Sequence, residues 1–365
     1  MSLAPDELLR YQRHLSLAGF GPEAQAKLQS ARVLVIGAGG LGCPALLYLA
    51  AAGVGHLTVI DADVVDISNL QRQVLYTTAD IGLPKAEAAA RRLRALNPLI
   101  QVTPIAARFT RANALELVNA HDVVLDGSDN FATRYLVNDA CVLADRPLVY
   151  GAIQGFEGQA SVFNFHGGPT YRCLFPEPPA PGTVPNCAEA GVLGVLPGLI
   201  GTVQATETIK LLTGVGTPLS GRLLLWEALT MTSRILRIAA DPASRALTGL
   251  PPEGYGETCA IAPAPDEISV EELRLRIGHV QLIDVREDWE RTLGAIRPSA
   301  HAPLGELENG AAGARFGALD PQRPTVVYCA GGMRSLKALP ILRERHGFTA
   351  LSSLRGGFKA WGSSV

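Results

Sequence analysis

Three observations predict an α/β protein in two units, the first built on a doubly wound sheet. Short apolar runs recur at 33–36, 56–60, 123–125 and 147–150, the pattern of parallel strands buried on both faces. Helical stretches alternate with them at 41–52, 84–96, 111–120 and 131–144, which gives a parallel sheet covered by helices on each side. A Pro-, Gly- and Ala-rich stretch without apolar period, 241–265, separates this alternation from a second, shorter one. A chain of 365 residues has room for two such domains, set at 1–240 and 266–365.

In chain order, 5–30 reads as helix broken at Gly19–Pro22, and 32–61 as strand, glycine turn, helix and strand. A polar loop, 63–73, follows, then the helix 84–96, stopped by Asn97-Pro98. A strand at 101–106, a helix at 111–120 and a strand stopping at Asp126-Gly127-Ser128-Asp129-Asn130 come next. After the helix 131–144 and the strand 147–150, residues 159–165 alternate like a strand of a mixed extension. Residues 166–191 form a long Pro/Gly-rich loop, a length found in functional segments. A buried helix within 191–212, a strand at 222–226 and a short helix at 229–238 complete the unit. Beyond 265 come helix 270–277, strands 280–283 and 325–328, and helix 335–343.

A net charge of −2 leaves no broad cationic surface, so stable nucleic-acid binding is not expected. The first fifteen residues form a charged amphipathic helix, not a signal peptide. The most apolar long stretch, 191–212, contains Pro197, Glu207 and Lys210 and reads as a core helix rather than a membrane span. Six widely spaced cysteines fit a reducing compartment, so a cytoplasmic location is expected.

The chemistry starts at Gly37, Gly39 and Gly42, spaced G-x-G-x-x-G between a strand and a helix. The first allows the tight turn, the second lets backbone approach a phosphate, and the third lets helix and strand pack closely. The helix start offers N–H groups and positive charge to an anion. Asp61, about 20 residues on, stands where an acidic residue holds a ribose hydroxyl. Alone, this fingerprint suggests NAD. Ser68-Asn69-Leu70-Gln71-Arg72-Gln73, Lys85 at a helix start and Asp129-Asn130 at a strand end point instead to nucleotidyl transfer. That reaction needs cations around phosphorus and leaving pyrophosphate, and a carboxylate to hold Mg²⁺.

GAGGLG, SNLQRQ, G-x-P-K at 82–85 and DGSDN together resemble the MoeB/ThiF/HesA family of ubiquitin-activating-enzyme-like adenylyltransferases. The resemblance covers residues 1 to about 260. It implies a Rossmann-like ATP-binding domain that uses ATP and Mg²⁺ to adenylate the C-terminal Gly-Gly tail of a ubiquitin-like sulfur carrier. It implies that Gly40 lies against the phosphates and that Asp61 holds the ribose. Ser68, Asn69, Leu70, Gln71, Arg72 and Lys85 would bind nucleotide, and Asp129 with Asn130 the Mg²⁺ and reacting phosphate. Arg13, in RYQRHL, matches an arginine supplied across a homodimer interface.

The family also carries a structural zinc on two C-x-x-C pairs. Here Thr170 stands three residues before Cys173 and Gly256 three before Cys259, so each pair retains one cysteine. Two thiolates do not close a four-coordinate site, and no zinc is expected. Cys187, in the long loop, matches the family cysteine proposed to form an acyl-thioester or disulfide intermediate. Cys43 and Cys141 are expected to pack in the core.

In the second unit Cys329-Ala330-Gly331-Gly332-Met333-Arg334 lies between a strand and a helix. Such a loop forms an anion nest, and the helix dipole favours a thiolate that can carry sulfane sulfur. With Leu282–Arg286 (LIDVR), 294–304 (GAIRPSAHAPL) and 354–361 (LRGGFKAW), it resembles the rhodanese family over about 266–365. By that resemblance Cys329 is the persulfide carrier, Arg334 closes its loop, and Asp284 and Arg286 support the fold. The sulfur would come from thiosulfate or a cysteine desulfurase. The fusion implies activation of a carrier carboxylate followed by its conversion to a thiocarboxylate. Two other readings are a rhodanese-like module that only docks, and an NAD-dependent oxidoreductase. The carrier's pathway is open among molybdenum cofactor, thiamine, cysteine and thiolated tRNA.

Overall fold

The computed structural model describes residues 3–178, 191–252, 255, 266–316 and 319–363. They form two compact units, 1–257 and 258–365.

Among the described residues the first unit has eight strands: β1 (Arg32–Ile36), β2 (His56–Ile60), β3 (Gln101–Ile105), β4 (Val123–Asp126), β5 (Leu148–Gln154), β6 (Glu157–Phe163), β7 (Arg222–Glu227) and β8 (Thr232–Arg237). Their spatial order is β3-β2-β1-β4-β5-β6-β7-β8. β3 to β5 pair in parallel, and β6 to β8 extend the sheet antiparallel. Side chains of β1 alternate between two cores: Val33 and Val35 belong to one, Leu34 and Ile36 to the other. All four are buried, which is why the run is apolar at every position. Helices Gly42–Ala52, Lys85–Leu96 and Val195–Thr213 supply the first core, and Arg111–Asn119 and Phe131–Leu143 the second.

Register positions the site. Ile36 pairs with both Ile60 and Asp126, so β1, β2 and β4 end at one level. Gly37, Asp61 and Gly127, the next residues, therefore lie side by side. Gly37 sits at φ +90°, and a Cβ there would come within 2.8 Å of the Gly127 carbonyl oxygen. At Gly42 a Cβ would stand 2.0 Å from the Gly37 oxygen. Gly42→Ala must part the helix from β1, and we expect a loss of about 3 kcal/mol, read as a lower urea midpoint for this unit.

The structure corrects two expectations. Residues 232–237, read as helix, form β8. An apolar pattern this short suits either element, and pairing with β7 decides it. The stretch read as linker from 241 packs on the first unit as far as 252. Leu250 is buried in its second core, and Arg245 donates to the Gly168 carbonyl at 2.7 Å. Tyr255 donates its hydroxyl to Asp139 at 2.8 Å. Low apolar periodicity there reflects packing through isolated residues and hydrogen bonds. In the long loop, Tyr171–Leu174 is a helical turn, with Tyr171 set among Tyr135, Tyr150, Phe163 and Phe175.

The second unit is an all-parallel sheet of β9 (Glu267–Ile268), β10 (Gln281–Asp284), β11 (Ala300–His301), β12 (Thr325–Tyr328) and β13 (Leu351–Leu354), in the order β11-β10-β12-β13-β9. Two cores again lie on its two faces, Ile283 and Val327 in one, Leu282 and Val326 in the other. β9, β11 and β13 have no long apolar run and were not legible as strands.

Candidate active site

Strand order reverses on either side of β1, and a cleft opens at the C-terminal ends of β1, β2 and β4. Gly37, Gly39 and Gly40 line it from the turn after β1, Asp61 from β2, and Ser128, Asp129 and Asn130 from β4. Arg72, Gln73, Lys85 and Phe109 close the walls.

Gly39 differs from its neighbours. A Cβ there would make only an ordinary 3.7 Å contact with Gln73 Nε2. Chain packing does not demand glycine, so the space it leaves belongs to the cleft. Asp61 is held by two backbone amides: Oδ2 accepts from Ala38 N–H and Oδ1 from Asp63 N–H, each at 2.8 Å. Burial pushes its pKa up, against the pull of those amides and of Lys85. The Lys85 side chain is only 7% exposed, and its ammonium pairs with the exposed Asp63 carboxylate at 2.9 Å. That cation is desolvated by the protein and held at the cleft by a solvated partner. Arg72 donates to the Ser68 carbonyl at 3.1 Å. Asn130 caps the helix Phe131–Leu143 by accepting from Thr133 N–H at 2.9 Å. Asp129 is exposed, and among the described residues its carboxylate has no hydrogen bond or ion pair.

The cleft thus gathers Gly37, Gly39, Gly40, Asp61, Arg72, Lys85, Asp129 and Asn130. Gly42 lies behind it, in helix–strand packing. Ser68, Asn69, Leu70 and Gln71 are outside the lining. Asp66 accepts from Ser68 N–H at 2.8 Å, and Asn69 Oδ1 from Asp66 N–H at 3.2 Å, so these side chains close the turn that presents Arg72. Arg13 is exposed on the short helix Gln12–Leu15, away from this lining. Cys187 falls in 179–190, outside the described residues. Sequence reasoning passed over Phe109 and Arg134, and gave Gln73, the last residue of the SNLQRQ run, no role of its own. Arg134 lies four residues past Asn130 on the same helix; Phe109 carried no signal.

In the second unit Cys329 follows β12 and is buried. Its Sγ accepts from Gly332 N–H at 3.0 Å and lies 3.6 Å from Ser335 Oγ. Gly332 takes φ +106° to turn that N–H inward at the start of helix Met333–His346. Arg334 makes a two-pronged pair with Glu290, both bonds 2.6 Å, tying the Cys329 loop to helix Asp288–Thr292. The buried Asp284 and Arg286 bond at 2.9 and 2.8 Å, and the guanidinium lies 4.2 Å from the Phe358 ring centroid. This pair is part of the scaffold.

Family models match both units: ThiF family over residues 11–246 and Rhodanese-like domain over 269–364. The chain belongs to the ThiF family. The probable adenylyltransferase/sulfurtransferase MoeZ of Mycobacterium tuberculosis is 45% identical, over 100% of this chain and 95% of that protein. The adenylyltransferase and sulfurtransferase MOCS3 of Arabidopsis thaliana is 40% identical, over 100% of this chain and 85% of its own. The sulfur carrier protein adenylyltransferase of Thermus thermophilus is 55% identical over 66% of this chain and 91% of its own. Among solved structures, the microcin C7 biosynthetic enzyme MccB in complex with N-formylated MccA has the same fold, at TM-score 0.58 and 24% identity over 64% of this chain and 73% of that one.

Within this ThiF-family unit the cleft lining contains no histidine. His121 is buried against Thr58, its Nε2 2.7 Å from the hydroxyl, and His56 Nε2 lies 3.1 Å from Thr103 Oγ1. Cys43 and Cys141 are buried packing residues, and burial pushes the Cys43 thiol up to about 12.

Among the described residues no group of three or more His, Cys, Asp or Glu side chains gathers at Cys173. The expected second pair, Gly256 and Cys259, lies outside the described residues. Residues 241–244 face the Cys173 sulfur: it accepts from Asp241 N–H at 3.3 Å and lies 3.1 Å from Ser244 Oγ. Thr170 donates its N–H to the same sulfur at 3.3 Å and its hydroxyl to Ser244 Oγ at 2.9 Å. Asp241 turns its carboxylate away, accepting from Ala243 N–H at 2.9 Å. Partial burial raises the Cys173 pKa, but these donors outweigh it and the net shift is downward. Among the described residues, then, Cys173 is one thiol among hydroxyls and amides, where a structural zinc takes four ligands.

Proposed function

We propose that the chain activates the C-terminal glycine of a ubiquitin-like sulfur carrier as an acyl-adenylate, and then converts it to a thiocarboxylate with sulfur carried on Cys329. The observation that carries this reading is the convergence of Arg72, Lys85, Asp129 and Asn130 around Gly39 and Gly40. Cations and a free carboxylate around a bare backbone turn suit a polyphosphate whose α-phosphorus is attacked. The names of the relatives, which join adenylyltransferase to sulfurtransferase, support it.

Asp61, already fixed by two amides, keeps lone pairs for ribose hydroxyls. The carrier carboxylate attacks the α-phosphorus, the bond to the β-phosphate breaks, and pyrophosphate leaves against Arg72 and Lys85. Asp129, with Asn130 beside it, is the oxygen donor suited to Mg²⁺, being exposed and unclaimed by other cations. When bound, Mg²⁺ adds positive charge to the phosphate oxygens. At Cys329 the inward N–H of Gly332 stabilises sulfur anion. The terminal persulfide sulfur attacks the acyl carbon and AMP leaves, giving an acyl disulfide. A second thiol, assigned to Cys187, attacks the Cys329 sulfur, releases the thiocarboxylate and forms a disulfide that a thiol reductant reopens.

The test is ATP–pyrophosphate exchange with and without a Gly-Gly-ended carrier, followed by intact mass of the carrier. Stimulated exchange and replacement of one oxygen by sulfur are expected. NADH binding without Mg-nucleotide binding would defeat the reading.

Three finer assignments accompany it. The chain acts as a homodimer in which Arg13 reaches the cleft of a second copy; its exposure away from its own cleft supports this. Mixing inactive Arg13→Ala and Lys85→Met proteins should then restore activity that neither shows alone. No zinc is held at Cys173. Elemental analysis should find well under one zinc per chain, and a chelator should leave the thermal midpoint unchanged. Among the described residues no helix is long and apolar enough to cross a membrane, and the reaction is assigned to the cytoplasm because persulfide chemistry needs a reducing compartment.

A further inference from the structure

We infer that Asp126 and Arg134 are positioning residues for Asp129: two buried groups of opposite charge that grip both ends of Ser128 and so set how the Asp129 carboxylate meets a nucleotide-bound cation. The inference rests on the nucleotidyl-transfer reading above and assigns work to two residues which that reading leaves idle.

Asp126 ends β4 and is 1% exposed; Arg134 is 9% exposed, one turn into the next helix. Burial pushes the Asp126 pKa up, and the positive charge of Arg134 acts against that push. An apolar pair of similar volume commonly serves a core as well, so burial alone does not call for charge at these two positions. Both charges are used on the same short segment. Asp126 Oδ1 accepts from Ser128 N–H at 2.9 Å. Arg134 Nη2 donates to the Ser128 carbonyl at 3.2 Å. That carbonyl belongs to the Ser128–Asp129 peptide. On the other side of Asp129, Asn130 is pinned by its helix cap. The residue is therefore fixed through its backbone at both neighbours, while its own carboxylate stays exposed.

The Arg134 guanidinium is held in turn by aromatic faces, 5.8 Å from the Phe131 centroid and 5.6 Å from that of Tyr150. Gly127 completes the constraint. It donates to the Ile36 carbonyl at 2.8 Å, and a Cβ there would meet the Gly37 oxygen at 3.0 Å. The turn that carries Asp129 is thus locked to the turn that faces the phosphates. A metal-holding carboxylate works at its full affinity only when its direction is set in advance, and loss of such support typically weakens metal binding by 10- to 100-fold.

The test uses the full chain with Arg134→Lys, Arg134→Gln and Asp126→Asn. Mn²⁺ binding in the presence of the non-hydrolysable analogue AMP-CPP is titrated by electron paramagnetic resonance. AMP-CPP binding without metal is measured separately by calorimetry, and thermal unfolding is followed for each variant. We expect the Mn²⁺ dissociation constant to rise about tenfold or more in Arg134→Gln and Asp126→Asn, less in Arg134→Lys, with metal-free nucleotide affinity nearly unchanged. Unchanged Mn²⁺ affinity in folded variants overturns the inference. So does an equal loss of metal-free affinity, which would make Arg134 a direct nucleotide contact. If even Arg134→Lys does not fold, the pair is structural and the inference is likewise wrong. Should wild-type protein not bind AMP-CPP at all, the nucleotidyl-transfer reading itself has failed, and that outcome is distinct from the others.

Discussion

Replacing Cys329 by serine is expected to lower thiocarboxylate formation by at least about 10³-fold and to leave ATP–pyrophosphate exchange at the wild-type rate. A hydroxyl cannot carry sulfane sulfur, so the variant has nothing to deliver to the acyl carbon. The residues that line the candidate nucleotide cleft belong to the first compact unit. Persulfide loading is read directly: incubate with thiosulfate and measure the mass of the peptide containing residue 329. Wild type should gain one sulfur and Cys329→Ser none. The local cost of the change is small, because Ser keeps an acceptor for the Gly332 N–H that now meets sulfur at 3.0 Å. A variant that still makes thiocarboxylate would reassign the sulfur carrier.

Lys85→Met should produce the opposite separation. Adenylation is expected to fall by about 10²–10³-fold, the usual loss when one charge-stabilising donor is removed from a reacting centre. Sulfur loading on Cys329 should be unaffected. The reasoning starts from the 2.9 Å pair with Asp63. Asp63 is exposed, so its carboxylate is well solvated and holds the ammonium weakly. An entering polyphosphate, with more charge at closer range, can take that ammonium as its own partner. Asp63→Asn therefore serves as the control: it leaves Lys85 available and should reduce exchange far less than Lys85→Met. Equal effects from the two would mean that the pair only supports the fold around the helix Lys85–Leu96. Methionine preserves most of the buried stem, so stability should change little.

Much of the candidate site was legible because its residues follow strand ends. In a doubly wound sheet every strand end near the reversal of strand order faces one crevice. Once 33–36, 56–60 and 123–125 were read as strands, Gly37, Asp61 and Asp129 had to converge. Lys85 and Arg72 came from motif order, and the structure places both in that crevice. Ser68, Asn69, Leu70 and Gln71 were read as one block with Arg72, yet only Arg72 and Gln73 of that run line it. A linear motif does not tell which of its side chains present the others.

The amino-acid order by itself determined the two α/β units, the glycine turn, the cysteine loop at 329 and the family to which the chain belongs, because each is a local pattern of burial period or turn chemistry. The tertiary structure decided the rest. Residues 232–237 became a strand only through pairing with β7. Ser244 came to face Cys173, and residues 241–252 packed on the first unit. Asp126 and Arg134 acquired a shared task on Ser128. Each of these depends on contacts between residues distant in sequence or on which side chain a turn buries, and neither is encoded in the local period of the chain.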